Sequence, residues 1–188
     1  MTMSVPISIG NFTVTVLRVA LLTSVVTTVP MVAVGQTKGY DHNHQSSTLV
    51  QMVRQATEQY KDVNNATHAG YSQLFGCMAG SDHGAMGIHY LNSDLNNGTL
   101  DVNHPQALMY EPINGKLQLI GAEYIVDAAT WLATNVDPPA LQNQTFLYVP
   151  APNRFNIPAF FELHVWAWKD NPQGAFVDWN NAVNCDHQ

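Results

Sequence analysis

The segment "ALMYEPINGKLQLIGAEYIV", residues 107–126, decides the fold because it contains two strands and the turn between them. Asn114 and Gly115 both tolerate the positive φ of a type I′ turn, so the pair predicts a two-residue β-hairpin. Ile113 then faces Lys116 across the hairpin. With strict alternation, one face is largely apolar and carries Leu108, Tyr110, Pro112, Leu117, Leu119, Gly121, Glu123 and Ile125.

The apolar face of this hairpin carries one charged side chain, Glu123. An isolated buried carboxylate is costly to desolvate, so Glu123 needs a cation, a metal ion or strong hydrogen bonds. Glu111 lies on the less apolar face, where we expect it to meet solvent or a partner. A β-bulge that shifted the register by one residue would exchange the roles of Glu111 and Glu123.

The segments on either side of the hairpin predict one helix and three further strands. "TLVQMVRQATEQYKDVNN", residues 48–65, has an apolar stripe at spacings of three and four, with Thr48 and Gln51 as a capping box. "DAATWLATN", residues 127–135, is a short helix or a loop. Short apolar runs predict strands at "MGIHYLN" (86–92), "TFLYV" (145–149) and "FFELHVWAW" (160–168).

These patterns predict an α+β fold. We expect an N-terminal helix packed on a curved, mainly antiparallel sheet of about five strands, either open or partly closed into a barrel. A cone-shaped helix-and-sheet fold and a small barrel of the cupin type are the nearest alternatives. Sheet curvature would create a pocket.

The first 35 residues resemble an export signal. Arg18 precedes an uncharged run, and Ala33-Val34-Gly35 offers the small residues that signal peptidase needs. An uncleaved membrane anchor is the alternative. We therefore predict a signal peptide over residues 1–35, a flexible lead-in over 36–47, and a single globular domain over 48–188, exported to the periplasm or the extracellular space.

Charge and cysteine content narrow the possible partners. After residue 35 the chain has six Lys and Arg against fourteen Asp and Glu, a net charge of −8. This excess of negative charge disfavours nucleic acid and anionic membranes as partners. The two cysteines, Cys77 and Cys185, have no CxxC spacing, so in an exported protein they predict a disulfide.

Histidines and carboxylates inside apolar strands are the candidate metal ligands. His89 lies in "MGIHYL", and His164 lies in "FELHVWAW" on the same strand face as Glu162. If the strands converge, His89, Glu123 and His164 form a site with two imidazoles and one carboxylate, an arrangement that suits a divalent ion such as Zn, Fe or Mn. Glu162 is then a further ligand, an orienting group or a catalytic base.

Aromatic side chains flank the same acids and histidines. Tyr90 is a candidate for proton transfer, and Trp166, Tyr110 and Glu111 are candidates for the walls of a ligand pocket. Aromatic residues in strands are also ordinary packing groups, so a structural role is the alternative.

Four blocks of sequence carry a family resemblance: "GAMGIHYLN", "ALMYEPINGKLQLIGAEYIV", "ELHVWAWKDNPQGAF" and the closing "NC". The chain resembles a family of small, uncharacterised exported bacterial proteins over about residues 50–186. The resemblance implies an exported single domain and carries no activity with it.

Three hypotheses for function follow from the residues. The first is a metal-dependent exported enzyme that acts on a small molecule. The second is a non-catalytic periplasmic or cell-surface protein that binds a ligand or metal in the same pocket. The third is a structural protein in which His164 and Glu123 form a hydrogen-bonded core pair.

Overall fold

A computed structural model describes residues 47–186 of the protein. The predicted signal peptide over residues 1–35 lies outside the described residues, and so does the predicted lead-in apart from Ser47. No helix within the described stretch is long and apolar enough to span a bilayer.

The predicted helix over residues 48–65 is divided into three pieces. Helix α1 (Thr48–Thr57) continues into a 3₁₀ turn (Glu58–Lys61), and helix α2 (Val63–His68) follows. The division occurs because Asp62 is extended and its side chain caps the backbone of Asn64. Ser47, rather than Thr48, caps α1 by accepting from the Val50 amide at 3.3 Å.

Strands make up most of the remaining regular structure. They are β1 (Ser72–Gln73), β2 (Met78–Ala79), β3 (Ala85–Leu91), β4 (Ala107–Ile113), β5 (Lys116–Asp127), β6 (Ala140–Leu141), β7 (Gln144–Thr145), β8 (Leu147–Val149) and β9 (Phe160–Val165). A 3₁₀ turn (Ser93–Leu95) follows β3, and helix α3 (Ala128–Leu132) follows β5.

The sheet is antiparallel, as predicted, and larger than expected. Seven strands form it in the order β1-β3-β4-β5-β9-β8, with β2 also paired to β3. Within residues 47–186 this path ends at β1 and β8, so a partly closed barrel is wrong. The first described helix begins at Thr48, well inside the chain, so the expectation of a helix at the N-terminus is also wrong. Strands β6 and β7 form a separate hairpin.

A β-bulge at Ile120 changes the register of the central hairpin. The Asn114-Gly115 turn pairs Ile113 with Lys116, as predicted, and this register holds as far as Tyr110 opposite Leu119. Met109 then pairs with Gly121, which leaves Ile120 as an extra residue. The Ile120 carbonyl accepts hydrogen bonds from the amides of residues 168 and 169, at 3.0 and 3.2 Å.

The two faces of the sheet are both buried. The first face packs on α1 and α2, and its residues include Leu108, Tyr110, Leu119, Ala122, Tyr124, Val126, Leu163 and Val165. Because of the bulge, Glu123 pairs with Ala107 and lies on the second face, so its predicted place beside Leu108 and Tyr110 is wrong. Glu111 lies on this second face as well, two residues after Met109, so the two glutamates share a face and do not exchange roles.

The C-terminal segment covers the second face. Residue Asn180 forms a β-bridge with Ala85, and Val183 is buried against Met109 and Ile120. The predicted disulfide between Cys77 and Cys185 is confirmed, with the two Cα atoms 5.6 Å apart. The disulfide therefore fastens the segment near its end.

Loss of the disulfide should destabilise the protein strongly. It closes a loop of 108 residues, for which the chain-entropy model gives about 4 to 5 kcal/mol. We expect the double variant C77S/C185S to lose roughly this much free energy of unfolding in urea titrations. Dithiothreitol should destabilise the wild-type protein similarly and leave the double variant unchanged; a loss below about 1 kcal/mol would contradict the prediction.

Candidate metal centre

Three strands bring His89, Glu123 and His164 together on the second face. Glu123 on β5 pairs directly with His164 on β9. His89 on β3 pairs with Met109 on β4, and Met109 pairs in turn with Gly121, two residues before Glu123 on β5. One donor atom from each of the three side chains lies within 4.8 Å of the other two. These side chains therefore form a cluster that can hold a metal ion.

The distances within the cluster are longer than those of good hydrogen bonds. His89 Nε2 lies 3.4 Å from Glu123 Oε2, and His164 Nε2 lies 3.9 Å from Glu123 Oε1. Good N–H···O hydrogen bonds measure about 2.7 to 3.2 Å. Ligand atoms around one tetrahedral Zn²⁺ are about 3.3 to 3.6 Å apart, given bonds of about 2.0 to 2.2 Å. The distance from His89 to Glu123 already falls within that range, and the distance from His164 to Glu123 exceeds it by a few tenths of an ångström.

His164 has no hydrogen-bond partner for either ring nitrogen among residues 47–186, although its side chain is only 1% exposed. Buried polar atoms of this kind are rare in folded proteins. Its Nε2 faces Glu123, and its Nδ1 lies 3.5 Å from Asp178 Oδ1. A carboxylate behind the ring is the usual companion of a metal-binding histidine.

The pKa values of the two histidines are shifted in opposite directions. Burial lowers the pKa of His89 and outweighs the opposing attraction of Glu123. Burial also lowers the pKa of His164, but Glu123, Asp178 and Glu162 together outweigh it and raise that pKa above its ordinary value. Without a metal ion, His89 is therefore neutral and His164 protonated near neutral pH.

Glu162 adjoins the cluster because it lies two residues before His164 on β9 and therefore on the same face. Burial raises the pKa of its carboxyl group, and the charge of Glu123 raises it further. Glu162 is thus a proton-carrying group beside the candidate ligands, and it can donate or accept a proton there.

A cavity of about 50 Å³ opens beside the cluster. That space holds an ion with a few water molecules, or a small ligand group. Its polar lining consists of His89, Glu123, Glu162 and His164. The rest of its lining is apolar: Leu74, Phe75, Met78, Met86, Leu91, Ala107, Ile125, Phe155, Ile157 and Phe160.

Two loops meet over this cavity. Phe75 from one loop stacks on Phe155 from the other, with ring centroids 6.1 Å apart, and Phe155 also contacts Phe160. Arg154 Nη2 donates to the Ala79 carbonyl at 3.3 Å, which joins the second loop to β2. The cavity wall away from the cluster is therefore partly aromatic.

The structure does not bring all the predicted pocket residues to the cavity. Trp166 stacks on His164 with ring centroids 6.4 Å apart, so it supports the cluster from the side. Tyr90 and Tyr110 contact each other on the first face, where the Tyr110 hydroxyl donates to the Tyr60 carbonyl at 2.7 Å. Strand alternation explains this, because both tyrosines are one residue removed from positions on the second face.

Glu111 is buried in a different interaction. Its Oε2 lies 2.6 Å from Lys169 Nζ, and its Oε1 accepts from the Asn184 amide at 3.3 Å. It meets neither solvent nor the cavity lining, so the expected exposure of Glu111 is wrong. Lys169 is available to it because β9 ends at Val165, before the predicted end at residue 168.

Trp168 also departs from the predicted strand. Its indole nitrogen donates to Thr57 Oγ1 at 2.9 Å, and Lys61 Nζ lies 3.7 Å from the ring centroid. Trp168 therefore packs with the helices and does not share the face of Glu162 and His164.

Asp178, whose carboxylate lies beside the His164 ring, is the residue next to the cluster that the sequence pattern did not identify. It lies in the C-terminal segment, which has no strand or helix periodicity to indicate a face. The one available signal was the position of Cys185, because a disulfide to Cys77 carries this segment back towards the strand that holds His89.

Gly87 fixes the position of β3 beside the hairpin. Its φ is +86°, and a Cβ atom there would lie 2.5 Å from the Tyr110 carbonyl oxygen. We expect G87A to lower the free energy of unfolding by about 2 to 4 kcal/mol, because backbone strain and steric conflict act together.

Gly115 provides the matched control for this substitution. Its φ is +72°, but a Cβ atom there meets nothing within 4 Å. G115A should therefore cost only about 1 to 2 kcal/mol, from backbone strain alone. Equal losses for the two variants in urea titrations would contradict the proposed close approach at Gly87.

Known proteins offer no guide to the role of this site. No protein-family model matches the chain, and neither the curated proteins nor the solved structures include a significant match. The function must therefore be inferred from the cluster and cavity themselves.

Proposed function

We propose that the protein is a metal-dependent enzyme that acts on a small molecule, with His89, Glu123 and His164 as ligands of one divalent ion such as Zn, Fe or Mn. The observation that carries this proposal is the convergence of three buried donor atoms within 4.8 Å of one another. The unpartnered nitrogens of His164 support it, because a metal ion would satisfy the nitrogen that faces Glu123.

The composition of the ligand set supports catalysis. Two imidazoles and one carboxylate leave coordination positions open for water or substrate, as in catalytic zinc and non-haem iron sites. Such an ion supplies a Lewis acid that polarises a carbonyl group or activates water. Glu162 is placed to take up or return the proton, and the apolar cavity limits the entry of bulk water.

The nature of the cavity supports a small and largely uncharged substrate. Its walls beyond the cluster are aliphatic and aromatic, and Phe75 and Phe155 stand over it. A charged group would lose hydration in these surroundings without gaining a partner. The reacting group of the substrate would therefore be the part that meets the ion and Glu162.

We also propose that the protein acts outside the cytoplasm. The disulfide between Cys77 and Cys185 supports this, because such bonds persist in oxidising compartments. The resemblance to small exported bacterial proteins implies the same location.

Metal analysis of protein purified without an affinity tag tests the proposal. We expect about one equivalent of a divalent transition metal per chain, and less than about 0.1 equivalent in H89A, E123Q and H164A. H104A is the matched control, because His104 is exposed and paired with Asp101 at 2.7 Å. It should retain the metal content of the wild-type protein.

Two other outcomes would favour the remaining hypotheses. If the wild-type protein holds less than about 0.1 equivalent of metal and its melting temperature is unchanged by added Zn, Fe or Mn, the cluster is a metal-free structural core. If metal binds but hydrolase, oxygenase and isomerase screens detect no turnover, the protein is a non-catalytic binding protein.

A further inference from the structure

We infer that His164 bridges two metal ions, the second of which is held by its Nδ1 atom together with Glu162 and Asp178. This inference rests on the proposed function, because the first ion shares the same imidazole. It assigns ligand roles to Asp178 and to Glu162, so Glu162 serves in proton transfer only when the second position is empty.

A second group of donors supports this assignment. Donor atoms of Glu162, His164 and Asp178 all lie within 4.8 Å of one another, as do those of the first group. His164 belongs to both groups, and its two nitrogens face different carboxylates: Nε2 lies 3.9 Å from Glu123 and Nδ1 lies 3.5 Å from Asp178. Each nitrogen of the imidazole therefore faces a carboxylate that belongs to one of the two groups.

The bonding state of His164 also favours two ions. Both ring nitrogens are buried, and neither has a hydrogen-bond partner among residues 47–186. One ion on Nε2 would leave Nδ1 with only the long 3.5 Å contact to Asp178 Oδ1, which is beyond the range of a good hydrogen bond. A second ion would bond both to Nδ1 and to the Asp178 carboxylate, so the nitrogen and the carboxylate would each gain a partner.

The charges of the cluster balance with two ions. Glu123, Glu162 and Asp178 form no ion pair with a lysine or arginine in the described part of the chain. Three carboxylates and a bridging imidazolate carry four negative charges, which two divalent ions neutralise. Each ion replaces the proton on one ring nitrogen, and Glu162 gives up its carboxyl proton when it binds the second ion, so three protons leave to solvent.

The second ion would be the more exposed of the two. The side chains of Glu123 and His164 are 6% and 1% exposed, whereas that of Asp178 is 24% exposed. Glu162 and Asp178 also line a surface groove with Arg154 and Trp179. We therefore expect the second ion to bind more weakly and to exchange faster than the first.

Copper(II) titration of metal-free full-length protein, followed by electron paramagnetic resonance, tests the inference. Cu²⁺ is a suitable probe because N/O sites bind it most tightly among divalent first-row ions. We expect about two bound equivalents in the wild-type protein, since each ligand set takes one ion. The second equivalent should reduce the integrated signal, because an imidazolate bridge couples the two electron spins.

The variant D178N isolates the second position. It should bind about one equivalent of copper and show the full, uncoupled signal, because the ligands of the first ion remain. D137N is the control: Asp137 is exposed and outside both donor groups, so it should behave like the wild-type protein. Circular dichroism melts of both variants would show that they are folded.

The possible failures are distinguishable. One bound equivalent in both the wild-type protein and D178N overturns the second position and leaves the proposed function intact. Two equivalents without spin coupling, or two in D178N, overturn the bridge. No bound copper in any form overturns both the bridge and the proposed function.

Discussion

The bulge at Ile120 is the constraint on which the candidate site depends. A single extra residue in β5 moves Glu123 to the face of the sheet that carries His89 and His164. Without it, Glu123 would point at the helices, into a core of leucine, valine and tyrosine side chains. Burial there would cost a carboxylate several kcal/mol, about the size of a typical total stability. The bulge therefore spares Glu123 this cost, because its carboxylate faces two histidines and not the apolar core.

The bulge is itself held by the chain that follows β9. Ile120 has no pairing partner on β4, and its carbonyl instead accepts hydrogen bonds from the amides of residues 168 and 169. Gly121 allows the Val165 carbonyl to approach, because a Cβ atom there would lie 2.5 Å from that oxygen. The register of the β4–β5 hairpin is thus stabilised by contacts with the end of β9 and the residues that follow it.

Much of this fold can be predicted from local sequence, and the reason is turn chemistry. Asn114 and Gly115 determine the hairpin, and alternation in the apolar runs identifies the strands that carry His89 and His164. The bulge has no comparable local signal, because its hydrogen bonds come from residues almost fifty positions away. An alternation pattern continued through Ile120 therefore assigns Glu123 to the wrong face, although the grouping of Glu123 with the two histidines is correct.

The contacts of the C-terminal segment also could not be predicted from local sequence. Asp178 and the partners of Glu111 lie in irregular structure, where no periodicity indicates which way a side chain points. The disulfide holds this segment against the sheet, and Asp178 comes seven residues before Cys185. Asp178 therefore reaches His164 from a segment that a covalent bond fastens, whereas the sheet positions His89, Glu123, Glu162 and His164. Reduction of the disulfide would thus remove one of the attachments that hold Asp178 beside His164, and it would leave the four side chains on the strands in place.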